Sequence, residues 1–524
     1  MIERIGAKLI FSYKGLERAM AKYKSYDYGQ RMMIPVSLEE QLVPGTLEFA
    51  IQTLVEDRMD MAMFEDRYEN DETGRLAYDP KILLKVVLLG YARGLISSRK
   101  MEQACRENVT FMALACGQRP DHSTIAAFVS SMEGEILPLF RDVLLVCEES
   151  GLLGGTFFAL DGCKLPSNAS KEWSGKISDL VRKKEKMEKR VKELLKRQVE
   201  TDKKDKKNKE DLDIFKGVNR TKQGERLKRK AERIREFLEG HGEKIGRTGK
   251  EIKSNVTDNE SANMMTSHGV VQGYNGQAVV DGKFQVIVHG EAFGEGQDHY
   301  HAGPMVTGAK ENLKTLGHSE DCLEGKVLVA DSNYSSPANL EVCEKEKLDA
   351  YIPDKDFRTR DPRFATQERW KFPRGKRLGL EDFQYREERD EYLCPNGKIL
   401  HRIGKKSMAY GKMRRRYVAD REDCGQCDFR ARCMAKTARR RNLLVPLGGV
   451  PRNLLKEMAR KVDTERGREV YHQRIGIAEP VFANIRAVKG LDRFTLRGKI
   501  KVNIQWILYC MVHNIGKVMS YGFA

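Results

Sequence analysis

A chain of 524 residues with a net charge of +18 and a pI near 9.2 calls for a polyanionic partner, nucleic acid ahead of an acidic membrane surface. Its 40% hydrophobic and 32% charged residues read as a globular protein of three or four structural units, one of them heavily solvated. No apolar run approaches the ~20 residues that cross a bilayer, and Met1 to Gln30 contains acids and no apolar h-region, so a cytoplasmic protein without a secretory signal is expected.

The first ~150 residues are predicted to be mainly helical. Leu47 to Phe64 and Pro80 to Gly94 carry apolar residues at helical spacing. Ser98 to Asn108 and His122 to Met132 follow, the second opened by the N-cap candidate Asp121–His122–Ser123–Thr124. Helix, short turn and polar-capped helix is compatible with a helix-turn-helix DNA reader, and equally with a helical packing domain. From Gly155 the texture becomes strand, and the apolar run Thr156 to Leu160 ends at Asp161.

Residues 171–253 then hold 29 Lys and Arg against 17 Asp and Glu, which places roughly +12 of the +18 in this segment. Ile177, Leu180, Met187, Val191 and Leu194 keep a three-and-four spacing, and Leu227, Ile234 and Leu238 repeat it. Two amphipathic helices around the polar stretch Thr201 to Asp213 predict an antiparallel hairpin. Such a charge run is either a solvated face or a phosphate-contacting one, and the net excess favours phosphate.

Strand texture returns from Val270 to Asp281 and from Phe284 to His289, with Asp281–Gly282 as the hairpin turn. A helix over Gly303 to Leu316 leads to the apolar strand Lys326 to Ala330, which again ends on a carboxylate, Asp331. A helix over Pro337 to Lys347, a strand at Ala350–Tyr351–Ile352, a long irregular basic region to about Val450 and a last sizeable helix from about Val462 to Val488 complete the reading. Two strands ending in Asp, with an acid on a later helix, make a reasoned metal site. Strand ends put carboxylates at a sheet edge that opens to solvent, and hard divalent cations take oxygen ligands shared with substrate phosphates.

Five motifs in order carry a resemblance. Asp121–His122–Ser123–Thr124, Leu160–Asp161–Gly162, Gly273–Tyr274–Asn275–Gly276–Gln277, Asp331–Ser332–Asn333–Tyr334–Ser335–Ser336 and Tyr471-x2-Arg474-x4-Glu479-Pro480-Val481-Phe482-x2-Ile485-Arg486 resemble the motifs of bacterial insertion-sequence DDE transposases. The similarity is nearest to the insertion-sequence 1182 family and runs from about residue 40 to the end. It implies an α/β fold: an RNase H-like catalytic core with a helical N-terminal domain, a basic helical hairpin insert and a Cys-rich insert. The expected boundaries are 1–150 for the helical N-terminal domain, 151–170 and 254–355 for the first parts of the core, and 171–253 for the hairpin. The Cys-rich insert then spans 356–455, and the C-terminal core helices 456–524.

The resemblance further implies two Mg²⁺ or Mn²⁺ ions held by Asp161, Asp331 and Glu479, hydrolysis at element ends, and attack of the freed 3′-hydroxyl on target DNA. Double-stranded DNA, as terminal inverted repeats and as target, would be the substrate, bound by a homodimer near the nucleoid. Tyr471, Arg474 and Arg486 would contact DNA. The related tyrosine–arginine–glutamate–lysine signature spaces its glutamate four after the arginine; here the gap is five, and Arg486 stands where that signature has lysine. An RNase H-like nuclease without strand transfer, or an inactive transposase serving as a DNA-binding protein, are the alternatives.

Eleven cysteines in such a chain exclude a full disulfide framework. Cys105, Cys116, Cys147, Cys163, Cys322, Cys343 and Cys510 are scattered and expected in cores as small hydrophobes. Cys394, Cys424, Cys427 and Cys433 cluster. Cys424-x2-Cys427 is the usual first half of a zinc knuckle, so a structural Zn²⁺ competes with reduced thiols, and Arg414 to Arg416 and Arg439 to Arg441 flank the cluster. Trp173 and Trp370 lie in basic stretches where packing competes with stacking on an unpaired base.

Overall fold

The computed structural model describes residues 37–67, 76–205, 214–246, 249–266, 269–364, 366–367, 378–409, 412–435, 437–446 and 453–522. Trp370 and most of the polar hairpin loop, 206–213, lie outside them.

Helices open the described chain: α1 (Leu47–Thr53), α2 (Pro80–Ala92), α3 (Ser98–Glu107), α4 (Val109–Leu114), α5 (His122–Ser130) and α6 (Ile136–Glu149). Each of the first five starts on an oxygen-bearing cap that takes up an unpaired N–H of the first turn. Thr46, Asp79, Ser97, Asn108 and Asp121 are those caps. α2 is buried from Ile82 to Tyr91, and Lys85 within it survives burial because its ammonium donates to Gln52 Oε1 at 2.9 Å and Glu56 Oε1 at 2.7 Å. α4 and α6 were not expected from the periodicity.

Next comes the main sheet, built from β1 (Phe157–Pro166), β4 (Ala262–Thr266), β5 (Gly269–Asp281), β6 (Ile287–Phe293), β7 (Val327–Ala330) and β8 (Asp349–Tyr351). β5 pairs antiparallel with β1 on one edge and with β4 and β6 on the other; β7 joins β1 in parallel and β8 joins β7 in parallel. The parallel connections run through α9 (Ala302–Thr315) and α10 (Pro337–Lys345). Asp281 ends β5 as a buried carboxylate accepting from Gly154 N at 3.0 Å and Gly155 N at 2.8 Å, so this turn residue also ties down the entry to β1.

Between β1 and β4 the chain leaves the sheet. A short pair, β2 (Ser174–Gly175) with β3 (Ser254–Asn255), brackets the long helices α7 (Ile177–Asp205) and α8 (Ile214–Gly240). Leu180, near the start of α7, packs with Ile234 and Phe237, near the end of α8, which makes the pair an antiparallel hairpin.

Beyond β8 and the short α11 (Phe357–Arg360), the stretch expected to be irregular is a second sheet. β9 (Gln384–Arg386), β10 (Glu391–Leu393), β11 (Ile399–Ala409), β12 (Lys412–Ala419) and β13 (Asn442–Pro446) form an antiparallel array in the order β13-β12-β11-β10-β9. It has its own core around Leu400, Tyr417 and Leu443. Two single-turn helices, α12 (Arg421–Gly425) and α13 (Arg430–Cys433), interrupt it.

The predicted late helix is two, α14 (Leu454–Asp463) and α15 (Glu465–Ala483), because the chain breaks at Thr464, whose hydroxyl caps α15 through Gly467 N at 3.0 Å. A π-helical turn over Asn484–Val488 follows α15. The last helix, α16 (Lys499–Lys517), falls in the stretch expected to hold C-terminal core helices, though its bounds were not read; Val502 and every residue from Ile504 to Ile515 are buried. It packs on β6, α6 and α2. A helix buried on every side, Gln505, His513 and Asn514 included, shows no clean polar face, which is why pattern reading does not fix its bounds. No described helix is long and apolar enough to cross a membrane.

Candidate active site

Asp161 was expected to close its strand; instead β1 runs on to Pro166, and what stops at this level is its parallel neighbour. Leu160 pairs with Ala330, the last residue of β7. Asp161 and Asp331 are therefore the next residues on two adjoining strands, placed side by side where the sheet splits. Gly162 beside them has no room for a side chain: a Cβ would stand 2.2 Å from Gln277 Nε2. Asp331 turns its carboxylate onto its own loop, accepting from Asn333 N at 2.8 Å and Asn333 Nδ2 at 3.0 Å.

α15 lies across β1, β7 and β5 and brings the third acid. Arg474 is buried on its sheet-facing side and donates from Nη1 to Asp161 Oδ2 at 2.5 Å, while Nη2 stands 3.9 Å from Glu479 Oε1. Glu479 is 60% exposed, on the rim rather than the floor. Asp161, Gly162, Cys163, Glu479, Phe482 and Arg486 line a cleft of about 520 Å³. Glu479 and Arg486 thus open on one cavity although a π-helical turn intervenes.

Burial pushes the Asp161 carboxyl up to about 6, against the pull of Arg474 and helped by the charge on Asp331. Asp331 is raised by burial as well, with its Asn333 N–H opposing and Asp298 adding to the rise. These are acids held close enough to disfavour each other's charge, the arrangement that a cation relieves.

At this level the sequence finds its relatives. Residues 393–519 match the family model described as Transposase DDE domain, and residues 36–131 match that described as Transposase domain (DUF772). Together they indicate a transposase of the DDE type. The DDE-domain match takes in Glu479 and Arg486 together with α15 and α16, whereas Asp161 and Asp331 lie outside both matched stretches. No curated protein and no solved structure matches the chain.

Of the residues expected to touch DNA, only Arg486 is exposed in the cleft. Arg474 is spent on Asp161, and Tyr471 packs edge-on against Phe357 with ring centroids 5.2 Å apart. The divalent-cation donor set is chemically apt, two carboxylates on one cleft and Asp331 beside Asp161, but the three acids do not converge. Among the described residues no three His, Cys, Asp or Glu side chains could hold a metal ion. Here the reason is visible: the Arg474 guanidinium lies between Asp161 and Glu479.

The same holds for the expected zinc site. Cys433 belongs to the core of the second sheet, with Cys394 and Cys424 packed against it, and its thiol is pushed up by burial. Each of the other three sulfurs accepts an N–H instead, Cys394 from Lys398 N, Cys424 from Arg441 N and Cys427 from Asn396 Nδ2, at 3.3 to 3.5 Å. Zinc is not supported by this arrangement. Among the scattered cysteines, Cys116 is exposed and Cys322 half-buried, against the expectation of core positions.

Trp173 packs at the base of the hairpin, with the Arg233 guanidinium 5.4 Å over its ring. Beside it Lys222, Arg226, Arg229, Lys230 and Arg233 line a groove of about 690 Å³ with one acid, Glu225. Their spacing of four, three, one and three puts them on one stripe of α8. Only Arg229 reaches an acid, Glu225 at 3.9 Å, among the described residues.

Sequence reasoning passed over Asp298. The signal was in Gly273–Tyr274–Asn275–Gly276–Gln277, since Asn275 and Gln277 fall on one face of a strand and, if buried, need an acceptor. Asp298 is that acceptor, at 2.6 Å from Asn275 Nδ2 and 2.7 Å from Gln277 Nε2.

Proposed function

We propose that this chain is a DNA transposase resembling the insertion-sequence 1182 family, cutting the ends of its element and joining the freed 3′-hydroxyl to target DNA. One observation carries the reading: Asp161, within β1, and Asp331, just past the end of β7, stand side by side on adjoining strands, and Glu479 opens on the same cleft as Asp161 from within the segment matched to a DDE domain. The strand order, three antiparallel strands continued by two parallel ones, is the arrangement expected of an RNase H-like core.

Asp161, Asp331 and Glu479 would hold the divalent cations, which when bound supply the Lewis acidity for phosphodiester displacement. Arg474 keeps the Asp161 carboxylate in one orientation and offsets the mutual repulsion of the two aspartates. Moving Glu479 towards them requires the guanidinium to yield, and a DNA phosphate entering the cleft is an alternative partner for it. Arg486, exposed on the rim with no acidic partner among the described residues, is placed to meet the same backbone. The cationic stripe on α8 is a second backbone contact: Lys222 to Arg233 spans about 16 Å of helix, roughly five nucleotide steps of a duplex.

Incubation of the protein with labelled terminal inverted repeats and a plasmid target tests the reading. Wild type should nick the repeat ends and insert them in Mg²⁺ or Mn²⁺. Asp161→Ala, Asp331→Ala and Glu479→Ala should each lose cleavage at least 100-fold while retaining DNA affinity. A variant that cleaved at the wild-type rate would remove that residue from the site. Cleavage without joined product would mark a nuclease, and binding alone an inactive relative.

A further inference from the structure

Behind the aspartate pair, on the face of β5 that carries Asn275 and Gln277, lies a closed polar cluster that the proposed chemistry does not use. Asp298 is buried, and its Oδ1 receives both the Asn275 and the Gln277 amides. Gln277 turns its own oxygen to the Tyr334 hydroxyl, and Tyr334 is buried three residues beyond Asp331. Asn339, opening α10, donates to the Asp298 carbonyl at 3.0 Å and to the Tyr334 carbonyl at 2.9 Å. His301 completes the shell with Nδ1 3.5 Å from Asp298 Oδ1.

These bonds connect two things that must keep register. β5 is hydrogen-bonded to β1, the strand of Asp161, with Gln277 opposite Gly162. Tyr334 and Asn339 belong to the turn and helix start that follow Asp331. A turn carrying a ligand is held only as well as its buried side chains are, and a buried tyrosine needs a partner for its hydroxyl. Burial disfavours a charge on Asp298, yet His301, Asn275 and Lys164 outweigh it and hold the carboxyl below its usual range. Asp298 therefore stays an acceptor.

We infer that Asp298 is a positioning residue for the aspartate pair: through Gln277 and Tyr334 it fixes the turn that follows Asp331, and so holds Asp331 beside Asp161. The inference rests on the reading of Asp161 and Asp331 as cation ligands. Outer partners that orient ligands are worth about 10–100-fold in metal affinity.

The test is titration of the full chain with Mn²⁺ alone, free Mn²⁺ being read by electron paramagnetic resonance, with thermal unfolding recorded alongside. Asp298→Ala should weaken Mn²⁺ binding at least 10-fold. Asp298→Asn, whose amide oxygen still accepts from Asn275 and Gln277, should stay within about threefold of wild type. Tyr334→Phe, which cuts the link while keeping the ring, should weaken binding several-fold and decides the matter if Asp298→Ala does not fold. Wild-type affinity in Asp298→Ala or, failing that variant, in Tyr334→Phe overturns the inference, and so does an Asn variant as weak as Ala, because charge alone would then account for the effect. Asp331→Asn in the same series separates the two levels: if it binds Mn²⁺ like wild type, the site reading itself is wrong.

Discussion

Replacing Arg474 by Met keeps most of the buried stem and removes the cation that faces Asp161. In the wild type the Asp161 carboxyl sits at about 6 because burial outweighs Arg474, against about 3.9 in an unfolded chain. A carboxyl raised in the folded state contributes stability that is complete below its unfolded value and is lost as pH rises through its folded value. In the wild type that loss runs from about pH 4 to about 6 and then stops. Without Arg474 the carboxyl moves higher still, so Arg474→Met goes on losing about 1.4 kcal/mol per pH unit above 6. The stability gap between the two proteins should therefore be small at pH 5 and widen to about 1.4 kcal/mol or more by pH 7.5. Urea unfolding of both at pH 5, 6, 7 and 8, followed by fluorescence, measures it. A gap that stays constant across that range would show that Arg474 does not answer to Asp161.

Other outcomes follow from the same contacts. Trp506, fully buried with its indole N–H on Gln277 O at 2.9 Å, should cost about 3–5 kcal/mol when changed to Ala, read as a shift in the urea midpoint; a loss under about 1 kcal/mol would mean that α16 does not close the core. Replacing Lys222, Arg226, Arg229 and Lys230 together by Ala should leave the melting temperature near wild type, since all four line an open groove. Fluorescence anisotropy against salt should then show the log–log slope for duplex DNA reduced by up to about 3.6, and an unchanged slope would make the stripe a merely solvated face.

Much of this was legible in the chain. The start of α5 was readable because Asp121 is a cap, and caps are local chemistry, while α2 and α3 were read from apolar spacing alone. The hairpin was readable because Ile177, Leu180 and Met187 recur on one face of α7, and Ile234 and Leu238 on one face of α8. Asp161 and Asp331 were readable as ends of apolar runs, although only the register Leu160 to Ala330 shows that one of those runs does not end there. Three features were not legible. The bounds of α16 are hidden because it is buried on every side, polar Gln505, His513 and Asn514 included, so it has no solvent face to announce it. β9 and β10 are three residues each, and β11 and β12 are rich in Arg and Lys, which hides alternation in a charged sequence. The pairing of Arg474 with Asp161 joins residues 313 apart, and no spacing rule reaches across that distance.

The position of α16 has a consequence for synthesis. Trp506 lies against Gly276 and Gly290 of the sheet, at 3.0 Å and 3.2 Å from where their Cβ atoms would be, and no other described side chain is set there as closely save Cys510 of the same helix. A ribosome releases residues 499–517 after both aspartates and the glutamate have already emerged. Until then the strands have an uncovered apolar face, and the sheet beneath Asp161 and Asp331 lacks the layer that closes its core. A chain halted by a stop codon or frameshift before Lys499 would carry all three acids on a sheet left open on that face.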